Sequence, residues 1–579
     1  MELTRNSTLI NKKFREFFIP TVLTNMSLTL SFVLNNIIVG NLLGPYQMAS
    51  LNVVLPLIQL YTAIAILFGI GASLIMAIAK GERNNTYSDR IFTASILSIL
   101  GISVIMTLLQ HLFTDEILST LTDNDTIYAY AKEFYKYLLW GTPFYIILLM
   151  ITFCIRIDGW AKLSSLILIT SNAVSIALNF ILIKYFGFSL DAAGISMLTG
   201  YAVATLLLIP YVFSKARGIH LNLHFAHGIK EICKYTWSVT KQGFPAALGN
   251  SLIMLKILAL NHITDNVDGN LGLVIFTVCI SCWSFVSMAI AGSAQTMVPI
   301  LATLYGEKDF KGVRIVFNTT LAVMLSLCAI CILYMNIFPA DVLNIFGVDS
   351  GYAVANGIPA IRIFSVSLLG TAVSFLFLYY YTTIGKRTLS IVISLCEGFL
   401  IIVPLAYILG RLFGITGVWY SFIICEILTI AIIYSYTRFT GRAGNKNTGY
   451  GIMQVPVRAD GEILNLSVNG LAAYAGEVSD KIRKELVKNG ADEITAREAY
   501  IVTEREMINI CKTGKKGDSM NIDIRVCASE GNILILIRDN GCFRNTANDS
   551  IPYPEQIIPA GIEYNSVLGL NYTTITINK

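Results

Sequence analysis

AKGERNNTYSDRIFTASILS, residues 79–98, and ATLYGEKDFKGVRIVFNTTLAVMLS, residues 302–326, decide the fold, because the second repeats the first. Gly81-Glu82 matches Gly306-Glu307, and Arg90-Ile91 matches Arg314-Ile315. GWAKLS from Gly159 likewise matches GKRTLS from Gly385; Gly306 follows Gly81 by 225 positions and Gly385 follows Gly159 by 226. Each copy begins at the end of an apolar stretch and runs into the next. Two halves of about six membrane spans each, in the same orientation, make a pseudo-symmetric transporter with a substrate path between them. A channel or an integral-membrane enzyme would not need this repeat.

Composition agrees with membrane burial. Of 579 residues 55% are hydrophobic and 14% charged, with a mean hydropathy of +0.64, too apolar for a soluble chain of this length. A span needs about 20 apolar residues. Such segments lie near 16–38, 50–79, 91–113, 137–156, 163–186, 192–213, 243–263, 270–301, 313–337, 357–384, 388–410 and 414–437. The net charge of +5 is small and does not suggest nucleic acid. Its placement matters more. Lys12, Lys13 and Arg15, then Lys80, Arg83 and Arg90, Lys215 to Lys241, Lys308 to Arg314, and Lys386-Arg387 recur on every second loop, whereas loops 263–269 and 338–356 carry aspartates but no Lys or Arg. The positive-inside rule makes the basic set cytoplasmic and puts both ends of the chain inside the plasma membrane. NKKFREFF leads into an apolar stretch too long for a cleavable signal. Cys279 with Cys282 and Cys328 with Cys331 have C-x-x-C spacing but sit inside apolar segments without further ligands, so they read as inert thiols and no metal site is expected.

Polar groups inside the spans are the candidates for function. SFVLNNIIVGNLLG, residues 31–44, puts Asn35 and Asn36 at membrane depth, where lipid offers no hydrogen-bond partner. Asn172, Ser175 and Asn179 recur along the fifth span. They read either as a polar substrate or ion pocket or as interhelical hydrogen bonds, worth ~0.6 kcal/mol each. In the second half Lys256, Glu397 and Glu426 each sit among apolar residues. A lone charge at the bilayer centre costs at least ~2.5 kcal/mol, so a Lys256–Glu397 pair is expected, the alternative being that both side chains snorkel to opposite interfaces. Tyr379, Tyr380 and Tyr381, with Trp283 and Phe285, are candidates for an aromatic cavity that holds a flat cation, or else for interface aromatics.

Several motifs in order resemble the multidrug and toxin extrusion (MATE) transporters of the MOP superfamily: IIVGNLLG, FGIGASLIMAIAKGE, IRIDGWAKLSSLILITSNAVSIALNFILI, KQGFPAALGNS, AGSAQTMVPILATLYGEKDF and FGITGVWYSFIICEILT. The resemblance covers about the first 440 residues. It implies an all-α polytopic fold of about twelve helices in two six-helix lobes, 1–215 and 216–440, alternating access, and export of organic or cationic small molecules against protons or sodium. The family commonly has an aspartate at the position of Asn35 and another ending an N-x-x-x-D pattern that here reads Ser175-Ile176-Ala177-Leu178-Asn179. Both carboxylates are therefore amides, which cannot exchange a proton at physiological pH. Glu426 stands where the family often has a glutamate, and it reads as structural. A transporter-like receptor, or a flippase for a lipid-linked substrate as in other MOP members, remains the alternative.

After the Gly/Asn/basic linker 441–450, residues 451–579 have ordinary soluble charge density. Segments from Ser467 and from Glu493 read as amphipathic helices. MNIDIRVCASEGNILILIRDNG reads as a β-hairpin turning at Glu530-Gly531-Asn532, and LNYTTITIN as a last strand. This α/β two-layer sandwich resembles the GHKL ATPase fold, and specifically anti-sigma-factor serine kinases. The resemblance implies Asn509 in EREMINICKTG as a magnesium-binding asparagine, Asp539 and Gly541 in IRDNG as the adenine-reading pair, and Gly569 in VLGL as the terminal strand entry. The general-base position four residues before Asn509 is Arg505. No catalysis, weak Mg-ATP binding at most, no resident cofactor, and a cytoplasmic protein partner or regulatory role are expected.

Overall fold

In a computed structural model the described residues are all except 1–3, 123, 215–216, 226–227, 347–350, 443–452, 457, 514–519, 530, 543–560 and 579. Most of the expected linker and Glu530 of the expected turn lie outside them. Among the described residues, twelve helices are long and apolar enough to cross a membrane: Thr8–Leu42, Pro45–Gly81, Asn85–Leu112, Asp125–Asp158, Ala161–Phe186, Asp191–Val212, Ile229–Gly269, Leu271–Gly306, Phe310–Ile337, Val354–Thr383, Arg387–Phe413 and Ile415–Phe439. Each coincides with an expected span, and several continue into polar sequence that hydropathy alone does not reach. The seventh and eighth spans meet at Gly269, whose φ of +60° only glycine adopts without strain.

The repeat explains how the halves meet. Asn84 and Asp309, equivalent positions after the Gly-Glu pairs, cap the third and ninth spans through Asn84 Oδ1 to Tyr87 N (3.0 Å) and Asp309 Oδ1 to Gly312 N (2.9 Å). Just before them the ends of the second and eighth spans touch backbone to backbone: a Cβ on Gly81 would lie 2.3 Å from the Thr303 carbonyl, and one on Gly306 would lie 2.3 Å from that of Ile78. The second and seventh spans touch through Gly71 and Gly243. The hydrogen bonds Asn11–Thr319 (2.8 Å) and Asn25–Gln295 (3.2 Å) also join the two sets of six spans. All of these contacts lie in the half of the bundle toward the chain termini, here the terminal end.

The C-terminal residues form a five-stranded antiparallel sheet, β1 (Glu462–Asn469), β2 (Asn521–Ser529), β3 (Asn532–Asp539), β4 (Gly561–Val567) and β5 (Leu570–Asn578), in the order β1-β2-β3-β5-β4. Helices α1 (Ala475–Lys488) and α2 (Glu493–Thr513) cover one face. Alternation divides each strand: Leu466, Ile522, Ile524, Ile535, Ile537 and Ile575 pack under the helices. Asp523, Arg525, Leu536, Arg538 and Tyr572 point to the other face. The β2–β3 hairpin and β5 match expectation. The start of the first helix does not, because Ser467–Asn469 belongs to β1; β4 had no counterpart in the sequence reading.

Candidate functional site

In the first half, the fifth span brings its polar side chains against the first. Asn179 donates from Nδ2 to Asn35 Oδ1 (2.8 Å), and Asn172 donates to Ser27 Oγ (3.0 Å). Asn35, Asn172 and Ser175 line a cavity of about 120 Å³ with Phe32, Tyr145 and Tyr201. Asn179 is fully buried and bonded to the lining Asn35, and among the described residues its Oδ1 and the Ser175 hydroxyl have no hydrogen-bond partner. The four expected polar residues are thus brought together.

The second half differs. Glu426 accepts hydrogen bonds from Thr371 Oγ1 (2.7 Å) and Ser374 Oγ (2.9 Å). Glu397 neighbours it from the π-helical turn Cys396–Leu400, and among the described residues Glu397 Oε1 has no hydrogen-bond partner. A π turn inside a helix costs backbone regularity and is found mostly where a side chain must be aimed. Lys256 faces both carboxyl groups but forms no ion pair with either within 4.0 Å among the described residues. Its ammonium lies over Trp283, 4.8 Å from the ring centroid. The expected Lys256–Glu397 contact pair is therefore corrected to a looser three-charge cluster in which the lysine takes an aromatic partner. Snorkelling to opposite interfaces is likewise excluded, since Lys256 and Glu397 share one buried region.

The aromatic cavity is not formed where expected. Tyr380 is fully buried, edge-on to Phe317 at 4.9 Å, and its hydroxyl donates to the carbonyl of Met453 (2.8 Å). It fastens the entry to the C-terminal sheet instead of lining a substrate path. Phe285 is exposed on the outside of the bundle.

In the sheet domain Asp539 is fully buried, and its Oδ1 accepts from Gly541 N (2.8 Å) and Asn571 Nδ2 (2.9 Å). It holds the end of β3 in place. Asn509 is buried on α2. Gly569 is corrected from nucleotide contact to docking contact: with φ +69° it packs against Gly159, where a Cβ on Gly159 would lie 2.5 Å from Gly569 N.

That docking surface is the feature the sequence reading missed. Leu568 N–H donates to Ile157 O (2.7 Å), in a turn that the buried Lys80–Asp158 ion pair (2.5 Å) holds in place. Arg538 reaches Glu307 (3.1 Å) and Asp309 (2.8 Å); Arg5 reaches Asp523 (2.5 Å) and Asp309 (3.4 Å). Arg314 donates to Pro456 O (3.0 Å). Burial alone would push the Asp309 carboxyl up, but the Arg5 and Arg538 guanidiniums outweigh it and hold it well below the usual carboxylate range. Burial pushes Glu307 up, and Arg538 only partly offsets it. A signal was present: Arg538 interrupts the apolar hairpin on the face away from the helices.

Comparison with known proteins bears on the membrane part. The MatE family model matches residues 20–181 and 245–408, once in each half. A multidrug export protein MepA from Staphylococcus haemolyticus is 25% identical over 434 residues, covering 74% of this chain and 94% of that protein. An outward-facing multidrug resistance MATE family transporter of the MOP superfamily superposes with a TM-score of 0.69 at 21% identity, over 75% of this chain and 96% of that one. A MOP superfamily transporter from Pyrococcus furiosus, for which reverse polarity of the binding pocket suggests a different function, gives 0.68 at 20% identity, over 75% and 97%.

Proposed function

Since the chain belongs to the MatE family of membrane transporters, we propose that it is a secondary antiporter exporting organic or cationic small molecules across the plasma membrane. The observation that carries this reading is the family match in both halves, together with their reciprocal Gly81–Gly306 contact, which gives alternating access two bodies to move. Lobes 1–215 and 216–440, a linker 441–450 and a cytoplasmic unit 451–579 are the working division. The terminal end faces the cytoplasm, as the loop charges require. The amides at Asn35 and Asn179 are what a receptor reading would rest on, but the family match in both halves favours transport over the receptor and lipid-flippase alternatives.

Coupling belongs to the second half. Two buried carboxyls facing one ammonium leave an excess negative charge when all are ionised, and low dielectric makes that state costly. A proton or a sodium ion would neutralise it. The amides around Asn35 carry no such charge, and they serve substrate or water instead. The soluble unit is a degenerate GHKL-like domain without enzymatic activity, supported by its strand order, by Arg505 at the base position and by the use of Gly569 for docking. Ethidium uptake into inside-out vesicles, with proton and sodium gradients imposed separately, tests the reading. Gradient-driven uptake is expected, and its absence under both gradients overturns it.

A further inference from the structure

The sheet domain touches both halves of the membrane part at once, at the end where they meet. On the first half it holds Ile157 through the Leu568 amide (2.7 Å), presses Gly569 on Gly159, and sets Asn565 against Asn85 (3.4 Å). On the second half Arg538 holds Glu307 and Asp309, Pro456 receives Arg314, and Met453 receives Tyr380. Directly beneath lies the backbone contact of Gly81 with the eighth span. Strands β3, β5 and β4 are neighbours in one ladder, so the groups holding Ile157 and those holding Glu307 cannot move apart without breaking the sheet.

An antiporter that loads from the cytoplasm must open this end, which separates the second span from the eighth. Tied to Ile157 and to Glu307 together, the sheet opposes that separation. We propose that the appended domain is an intramolecular latch: docked, it holds the cytoplasmic end shut; released from one half, it permits the inward-open state. The proposal rests on the transporter reading and adds a regulatory state to it.

The chemistry of the dock suits reversible attachment. Its centre is a buried ion network, Arg5, Arg538, Glu307, Asp309 and Asp523, flanked by Met453, Val455, Val567 and Leu568, which join the apolar core of the bundle. Such networks give registry more than adhesion, because desolvation consumes most of the Coulomb gain. A cavity of about 440 Å³ enters between sheet and bundle beside it, lined in part by Arg83, Lys308 and Arg525. Arg525 is more than nine-tenths buried, yet among the described residues its Nη1 has no hydrogen-bond partner and its Nε reaches Glu462 only as a long ion pair of 3.6 Å. An incompletely satisfied dock is one that competing polar groups can loosen.

The test uses the full chain in nanodiscs and in vesicles. Fluorophores carried by unnatural amino acids at Ser119 and Asn344, exposed positions at the far ends of the two halves, report on opening, and ethidium reports on transport. Arg538→Ala should shift the population severalfold toward approach of the far ends and raise ethidium flux severalfold. Two reducible bridges installed together, Asn85→Cys with Asn565→Cys on the first half and Arg314→Cys with Pro456→Cys, spanned by a bifunctional thiosulfonate, on the second, should hold the far ends apart and stop flux, and reductant should restore both. The latch is overturned if the cross-linked protein cycles like the reduced one, or if a folded Arg538→Ala protein keeps wild-type distances. Should Arg538→Ala not fold, the cross-link arm decides alone. Distances that respond while no form moves ethidium leave the latch standing and defeat the transport reading; robust flux with unresponsive distances does the reverse.

Discussion

The first and second halves descend from one repeated pattern, yet their buried polar sites have opposite chemistry. Around Asn35 and Asn179 every group is neutral, and the partners are amides and hydroxyls. Around Glu397 and Glu426 the groups ionise, and the partners are hydroxyls and an ammonium held over indole. The same family model matches both halves, so under the antiport reading the fold does not dictate which half would respond to an ion gradient. That is set by a few side chains, each of which can be exchanged without rebuilding a helix.

Removing the ionisable group should have the largest effect. Glu397→Gln keeps the shape and takes away the titration, so gradient-driven ethidium flux should fall by about tenfold or more and lose its pH dependence. Unchanged pH dependence would erase the distinction between the halves. Next comes the dock, where Arg538→Ala leaves Glu307 and Asp309 buried without their guanidinium. The expected cost is about 3–5 kcal/mol of attachment, read as faster hydrogen exchange in β3 and β5 and faster proteolysis near residue 455. Equal exchange rates would show that the ion network contributes nothing.

On the neutral side the expected effects are smaller. Asn179→Ala removes one interhelical bond, worth about 0.6 kcal/mol on average, and should lower thermal stability slightly while leaving ion dependence intact. Asn35→Asp should remain functional and add proton sensitivity to the first half, sharpening the contrast; a dead, folded variant would mean that the amide itself is essential. The smallest effect is the pH response of the dock. Glu307 has its pKa raised on docking above the ordinary value of 4.5, so its contribution to attachment is fully present below that value and is lost as pH rises through the docked pKa. Hydrogen-exchange protection in β3 should therefore decline on that side of the titration, and Glu307→Gln should flatten the decline.

The spans and the repeat were legible because apolar length and Gly-Glu spacing are local properties of a chain. The β2–β3 hairpin was legible for the same reason, through its period of two. Strand β1 carries Leu464, Leu466 and Val468 in alternation, but the helix-forming residues that follow drew the boundary too early. Strand β4 is a polar edge strand, GIEYNSV, with little alternation to read. That Asn35 and Asn179 would need partners inside the bundle followed from polar residues at depth; that they would pair with each other did not. The partners of Lys256, Tyr380 and Gly569 did not, since each depends on which distant element arrives beside it. Tyr380 and Gly569 meet groups across the junction of bundle and sheet, and nothing within a span announces that junction.

The reciprocal contact of Gly81 and Gly306 has a consequence for how the molecule can change. Each glycine is the space the other's helix occupies, so an added methyl at either position wedges the same crossing apart. Gly81→Ala and Gly306→Ala should thus push the conformational equilibrium in one direction, although they lie in different copies of the repeat. Duplication has left the protein with one hinge point written twice, and a random change in either copy has the same sign.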